Sequence, residues 1–226
     1  MSHKLEQIFP WGRSMEEYIR MFALTSDDLG LRIVGCADGP AGFNSEATNE
    51  GATVTSCDPL YQFSTDEIRG RIAAHYDDRI RGAEAKRDQF VWDVIKSPEE
   101  MGRLRMAAME EFLSDYDKGK AEGRYVNESL PSLPFADKEF DLALCSHFLF
   151  LYTHCLSLEF HLKCIREMCR VAKEARIFPL LNFNSRASEY AEQVTETLRQ
   201  EGYEIKIERV QYEFQRGGHT MMRVRK

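Results

Sequence analysis

A chain of 226 residues with 43% hydrophobic and 30% charged side chains can build one sizeable core and is too apolar for wholesale disorder. Its 30 Lys and Arg against 37 Asp and Glu leave a formal charge of −7, the wrong sign for a surface that tracks phosphate backbones, which disfavours nucleic acid as a partner. Met1 to Pro10 is mixed and charged with no apolar signal core, and no apolar run nears the ~18 residues of a membrane span, so a cytoplasmic protein is expected. Six cysteines, at 36, 57, 145, 155, 164 and 169, form no CxxC pair. They read as buried free thiols of a reducing compartment, with no metal site expected.

Ser14 to Leu24 (SMEEYIRMFAL) predicts an amphipathic helix, with Ser14 as cap, Glu17 at capping-box spacing, and Met15, Tyr18, Ile19, Met21 and Phe22 on its apolar side. Leu31–Gly35 is a short strand ending in a glycine-rich turn, Gly35–Gly42. A helix over Asn44–Glu50 follows, then a β-rich run, Thr53–Cys57, closed by Asp58-Pro59. From Leu60 to Arg124 the sequence turns charged and helical. It predicts helices over Asp66–Ala85 and Lys86–Lys96, and a third that starts at Ser97-Pro98-Glu99-Glu100 and runs to about Tyr116. Alternation then resumes with strand Arg124–Asn127, strand Phe140–Cys145, helix Leu158–Lys173, strand Ala175–Leu181 and helix Ser188–Gln200. Two last strands, Glu204–Gln215 and His219–Arg225, are predicted to form a hairpin across Gly217-Gly218. Repeated β-α units imply a parallel sheet with helices on both faces.

Ligands of such sheets bind beyond the carboxyl ends of the strands, at the switch point beside the first strand. The turn Gly35-Cys36-Ala37-Asp38-Gly39 lies there. Its small residues let backbone approach a ligand, and the next helix offers free N–H groups. Asp58, after the second strand, is positioned to accept both hydroxyls of a ribose, with a plain Asp-Pro turn as the alternative. The G-x-G-x-x-G of dinucleotide folds fails at Ala37 and Pro40, which disfavours a nicotinamide-dependent reductase.

VGCADGPAGF (Val34–Phe43) resembles the first motif of class I S-adenosylmethionine-dependent methyltransferases, and Asp58 matches the acid that ends that family's second strand. LPSLPFADKEFDLALCSHFL (Leu130–Leu149) resembles its "LPF…FD" segment and fourth strand. FPWGRSMEEYIRMF and CSHFLFLY are similar to an uncharacterised bacterial branch of the family. The resemblance implies a Rossmann-like, doubly wound, mostly parallel seven-stranded sheet with a C-terminal antiparallel hairpin and a helical insertion. It implies one domain over residues 1–226, with 1–30 as a helical lid and 60–124 as an insertion capping the acceptor. It also implies S-adenosylmethionine as cofactor. Backbone at Gly35, Cys36, Ala37 and Gly39 would face its methionine part and ribose, Asp58 would hold the ribose hydroxyls, and Pro59 would pack near adenine. Ser129 and Leu130 would meet the adenine edge, and Cys145 and Ser146 would lie near the sulfonium. Three positions depart from the pattern. Ile33 replaces an acid, Ala37 the middle glycine and Ser129 the acid that meets the adenine amine. Asp38 is positioned to supply the missing charge for the methionine ammonium.

The implied reaction is methyl transfer to a small-molecule acceptor by direct displacement, where the protein aligns the nucleophile and takes a proton. The alternative is a non-catalytic cofactor-binding regulator or partner subunit, which the three departures motivate. His147, just past the fourth strand, is the candidate base. His154 and His161 continue a spacing of seven from it, but across loop and helix, which makes a common metal geometry unfavoured. Phe148, Phe150 and Tyr152 offer either an apolar acceptor wall or plain core. Arg103 and Arg105 offer either an anion site or solvated charge. Trp11, Arg13 and Tyr18 belong either to a lid or to an ordinary packing helix.

Overall fold

In a computed structural model, the described residues are 11–226, and the Met1–Pro10 part of the expected lid lies outside them. The strands are β1 (Arg32–Cys36), β2 (Thr53–Cys57), β3 (Tyr125–Val126), β4 (Phe140–Ser146), β5 (Ala172–Phe178), β6 (Glu204–Arg209) and β7 (Thr220–Arg225). They form one sheet in the order β3-β2-β1-β4-β5-β7-β6. β1 to β5 pair in parallel, and β7 runs antiparallel to both β5 and β6. This is the expected α/β fold with its reversed last strand.

The central strands are buried on both faces, so β1 and β4 are nearly continuous apolar runs, while β5 buries Glu174 and Arg176 as a pair 2.6 Å apart. Alternate residues serve two cores. Val34, Ala143 and Cys145 face one that α6 (Leu158–Val171) and α7 (Tyr190–Gln200) complete. Ile33, Leu142 and Leu144 face the other, under α1 (Met15–Phe22) and α3 (Phe43–Asn49). A short α2 (Ser26–Leu29) leads into β1. The predicted capping box of α1 is present, with Ser14 and Glu17 each accepting the other's backbone N–H.

The insertion is an antiparallel pair of helices, α4 (Thr65–Ala85) and α5 (Pro98–Ala121), each with a serine cap. Helix α5 outruns its predicted end near Tyr116, because Gly119 sits inside it. A Cβ there would come within 2.4 Å of the Tyr125 ring, so the absence of a side chain lets β3 approach. The turn after α5 falls to Gly123, at φ +77.

One predicted helix and the end of one predicted strand are wrong, and for one reason. Lys86–Lys96 is not a helix; it holds a single 3₁₀ turn, Arg87–Gln89, and then extends. The last two strands do form the predicted antiparallel hairpin, Glu204 level with Arg225 through Arg209 with Thr220, but β6 stops at Arg209 instead of Gln215, and Val210–His219 is loop. These two segments pair with each other instead. The Val91 N–H donates to the Phe214 carbonyl at 2.8 Å and the Arg216 N–H to the Gln89 carbonyl at 2.8 Å. Phe90 stacks on Phe214 at 4.9 Å, with Trp92 edge-on to Phe214 at 5.4 Å. Long-range strand-like pairing and aromatic packing override the local helical composition. The insertion and the β6–β7 loop therefore form one joined structure above the sheet.

Candidate functional site

β1 has β2 on one side and β4 on the other, so the chain leaving β1 does so where the winding reverses. Cys36 is level with Cys57, and Gly35 with Leu144, which makes the ends of β2, β1 and β4 one continuous rim. The chain turns off that rim through two left-handed residues, Ala37 at φ +58 and Gly39 at φ +55.

Asp38 folds back over Gly35. Its carboxylate accepts from the Tyr18 hydroxyl at 2.8 Å and the Ser56 hydroxyl at 2.7 Å, so both oxygens are taken by α1 and β2. The charge expected to meet an ammonium is thus engaged within the protein. A Cβ on Gly35 would lie 1.7 Å from Asp38 Oδ2. Gly35→Ala is expected to evict that carboxylate, leave the Tyr18 hydroxyl buried without a partner, and cost about 3 kcal/mol, read as a lower urea midpoint.

Asp58 ties the turn to the next strand. Its Oδ2 accepts the Gly39 N–H at 2.9 Å and its Oδ1 the Leu60 N–H at 2.7 Å. Pro59 opens the 3₁₀ turn (Pro59–Gln62) capped in this way, and the Tyr61 hydroxyl donates to the Gly39 carbonyl at 2.7 Å. Burial pushes the carboxyls of Asp38 and Asp58 up to about 6, against the opposing pull of their hydrogen bonds. Since the folded values exceed the unfolded ones, the folded chain takes up protons between about pH 6 and 4 that the unfolded chain does not. These two groups therefore stabilise the fold as pH falls through 6, and that contribution is lost as pH rises through it. Asp38→Asn is expected to flatten this part of a melting-temperature profile between pH 5 and 7.5, a window over which the shift contributes about 1.4 kcal/mol.

At the end of β4, Cys145 is fully buried and burial pushes its thiol up to about 12. The Ser146 hydroxyl lies 2.8 Å from His147 Nδ1. His147 has φ +52, a left-handed conformation rare for a residue with a side chain and enriched where strain serves function. Its N–H donates to the Phe178 carbonyl at 2.6 Å and its ring stands edge-on to Phe178 at 5.4 Å. Burial first, then Arg13 and Arg105, hold its pKa well below the usual histidine value, so the ring is neutral at neutral pH. Ser129 and Leu130 follow β3, with Leu130 buried and Ser129 half-buried.

Other candidates resolve differently. Phe148, Phe150 and Tyr152 are core, packed on Phe160, His161 and Phe183 respectively, and no acceptor wall forms from them. His161 accepts the Phe150 N–H at Nε2, 3.0 Å away, and so carries its proton on Nδ1, 2.8 Å from the Ser157 carbonyl. His154 is exposed. Arg103 is exposed and pairs with Glu100. Arg105, in contrast, is only 1% exposed and pairs with Glu17 of α1 and the Tyr212 hydroxyl. Tyr18, 1% exposed and stacked on Phe43 at 4.4 Å, anchors α1 in the core.

The structure thus joins Gly35–Gly39 and Asp58 by hydrogen bonds and sets Cys145–His147 beside them. It adds a group the sequence did not announce: Glu17, Arg105 and Tyr212. Glu17 read only as a cap partner, and Tyr212 lay within a predicted strand. The burial of Arg105 had no local signal at all.

A family model described as a methyltransferase domain matches residues 104–178. A Methanocaldococcus jannaschii protein, described as uncharacterized protein MJ0045, is 32% identical over 218 residues, covering 95% of each chain. Among solved structures, magnesium protoporphyrin IX methyltransferase from Synechocystis PCC 6803, with bound SAM, is 13% identical with a TM-score of 0.48, covering 94% of this chain and 77% of that one. The PH0226 protein from Pyrococcus horikoshii is 12% identical with a TM-score of 0.49, covering 100% of this chain and 99% of that one.

Proposed function

The chain belongs to the class I S-adenosylmethionine-dependent methyltransferase family, and on that premise we propose that it methylates a small molecule by direct displacement at the sulfonium methyl. The observation that carries this reading is the Asp58–Gly39 junction. A half-buried carboxylate at the end of β2 grips the turn after β1, at the switch point where ligands of this topology lie across strand ends.

The residues fit that cofactor. Backbone from Gly35 to Gly39 is small and sharply turned, and Asp58 carries two further acceptor lone pairs suited to vicinal hydroxyls. Pro59, Ser129 and Leu130 flank the adenine end; at the methyl end Ser146 stands beside His147, while Cys145, expected there, is sealed in the core. When bound, the cofactor supplies an already activated methyl group. What remains for the protein is alignment and proton removal. His147 is neutral, strained into place and oriented through Ser146, and we assign it the role of accepting the acceptor's proton at Nε2. Helix α1 and the 60–124 insertion, joined to the β6–β7 loop, form the acceptor side.

Calorimetric titration with S-adenosylhomocysteine tests the cofactor assignment; saturable micromolar binding is expected, and no heat with no thermal shift would sink it. Turnover is tested with methyl-labelled cofactor over a panel of small acceptors. His147→Ala is expected to lower transfer about a hundredfold or more with S-adenosylhomocysteine binding unchanged. Tight binding without transfer to any acceptor would favour the binding-only alternative.

A further inference from the structure

We propose that Arg13 and Arg105 form the recognition site for a carboxylate or phosphate on the methyl acceptor, an inference that rests on the transferase reading above. Arg105 is 1% exposed, with one terminal nitrogen on Glu17 and the other 3.2 Å from the Tyr212 hydroxyl. Its Nε is buried with no hydrogen-bond partner, and so is the Nε of Arg13. Arg13 otherwise donates to the Trp11 carbonyl at 3.2 Å, and its own carbonyl accepts the Gly42 N–H at 3.0 Å, which pins it over the turn after β1.

The charges there do not balance. Two guanidiniums face one carboxylate, Glu17, because burial keeps the Tyr212 phenol neutral by pushing its pKa up. A buried positive charge in excess is costly unless an anion joins it. A guanidinium fork is matched to the paired oxygens of carboxylate and phosphate.

The position selects the acceptor over the cofactor. Along the rim, Asp58 stands at β2, the glycine turn at β1 and His147 at β4. Phe178, at the end of β5, comes next and touches His147 at 5.4 Å and Tyr212 at 5.7 Å. The Tyr212 hydroxyl donates to Glu17 at 2.8 Å beside Arg105. The cluster therefore runs from the turn after β1, where Arg13 is pinned, to Tyr212 beside Phe178 at the end of β5. Its Tyr212 end flanks His147 on the side away from Asp58, which a cofactor laid from Asp58 to His147 leaves to the other substrate.

The test uses the full chain at fixed ionic strength, with and without saturating S-adenosylhomocysteine. Benzoate and inorganic phosphate are titrated as anionic probes, and benzamide as the uncharged isostere. At least one anion is expected to bind saturably and raise the melting temperature while benzamide does neither. Arg13→Met is expected to weaken that anion about tenfold or more with S-adenosylhomocysteine affinity kept within about threefold. Arg105→Lys keeps the buried charge but loses the fork; it serves as the second variant, with a comparable loss of anion binding expected. The proposal is overturned if neither anion binds. It is equally overturned if anion binding survives Arg13→Met, or if that substitution chiefly weakens S-adenosylhomocysteine, which would assign Arg13 to the cofactor. Anion binding with no S-adenosylhomocysteine binding would leave the anion site standing and overturn the transferase reading instead.

Discussion

Glu17→Ala is expected to lower stability by about 3–5 kcal/mol, because it strands Arg105 and Arg13 in the interior without their carboxylate. For a chain of this size that corresponds to a fall of roughly 10 °C in melting temperature. Glu17 also receives the Ser14 N–H and the Tyr212 hydroxyl, so the same substitution loosens the cap of α1 and its tie to the β6–β7 loop. Burial raises the Glu17 pKa and the charge and hydrogen bond of Arg105 outweigh it, leaving the pKa below the usual value. Its contribution is therefore present above the unfolded carboxyl range and is lost as pH falls through the depressed value. The double substitution Glu17→Ala, Arg105→Met removes the stranded charge and is expected to recover part of the loss. A single-variant cost under about 1 kcal/mol by chemical denaturation would show that the pair is not stabilising as argued.

The second large effect concerns Asp58. Asp58→Ala is expected to weaken S-adenosylhomocysteine about a hundredfold, since two hydrogen bonds to a charged acceptor are worth about 3 kcal/mol together. It also frees the Gly39 and Leu60 N–H groups that the carboxylate holds, so the turn loses its tether as well as its ribose acceptor. Asp58→Asn, of the same shape, keeps one of the two tethers, since its amide oxygen still accepts an N–H and its amide nitrogen cannot, so it loses less of the turn while binding still falls. With its pKa at about 6, the free protein must lose a proton from Asp58 before it binds well. Affinity is therefore expected to drop about tenfold from pH 7 to pH 5. Binding of Asp58→Ala within threefold of the parent chain would remove Asp58 from the site.

Legibility from sequence followed the range of the interactions involved. Helix α1 with its capping box, β2 at Thr53–Cys57 and the Ser97-Pro98 start of α5 rest on contacts a few residues apart and were read closely. The turn Gly35–Gly39 with Asp58 was also readable, since its chemistry lies in two short stretches of chain. The family resemblance even marked Ala37 as a missing glycine. The left-handed φ there explains why a glycine suits the position, and Ala37→Gly is expected to be neutral to slightly stabilising. What failed, Lys86–Lys96 as a helix and 210–215 as the end of a strand, failed because each segment's partner is more than a hundred residues away in sequence.

By itself the sequence determined the alternation of strand and helix, the two-faced sheet, the glycine turn at the switch point, and the acidic partner after the second strand. Periodicity, caps and turn residues act locally and are written in adjacent positions. Only the tertiary structure decided that Asp38 turns inward to Tyr18 and Ser56, that Phe148, Phe150 and Tyr152 are core, and that Arg105 is a buried charge locked to Glu17. Composition counts charges; it does not say which of them lose their water. That depends on which faces meet when α1, α5 and the β6–β7 loop close over the strand ends. A chain with a formal charge of −7 thus carries one buried and one half-buried arginine, Arg105 and Arg13, together beside its site.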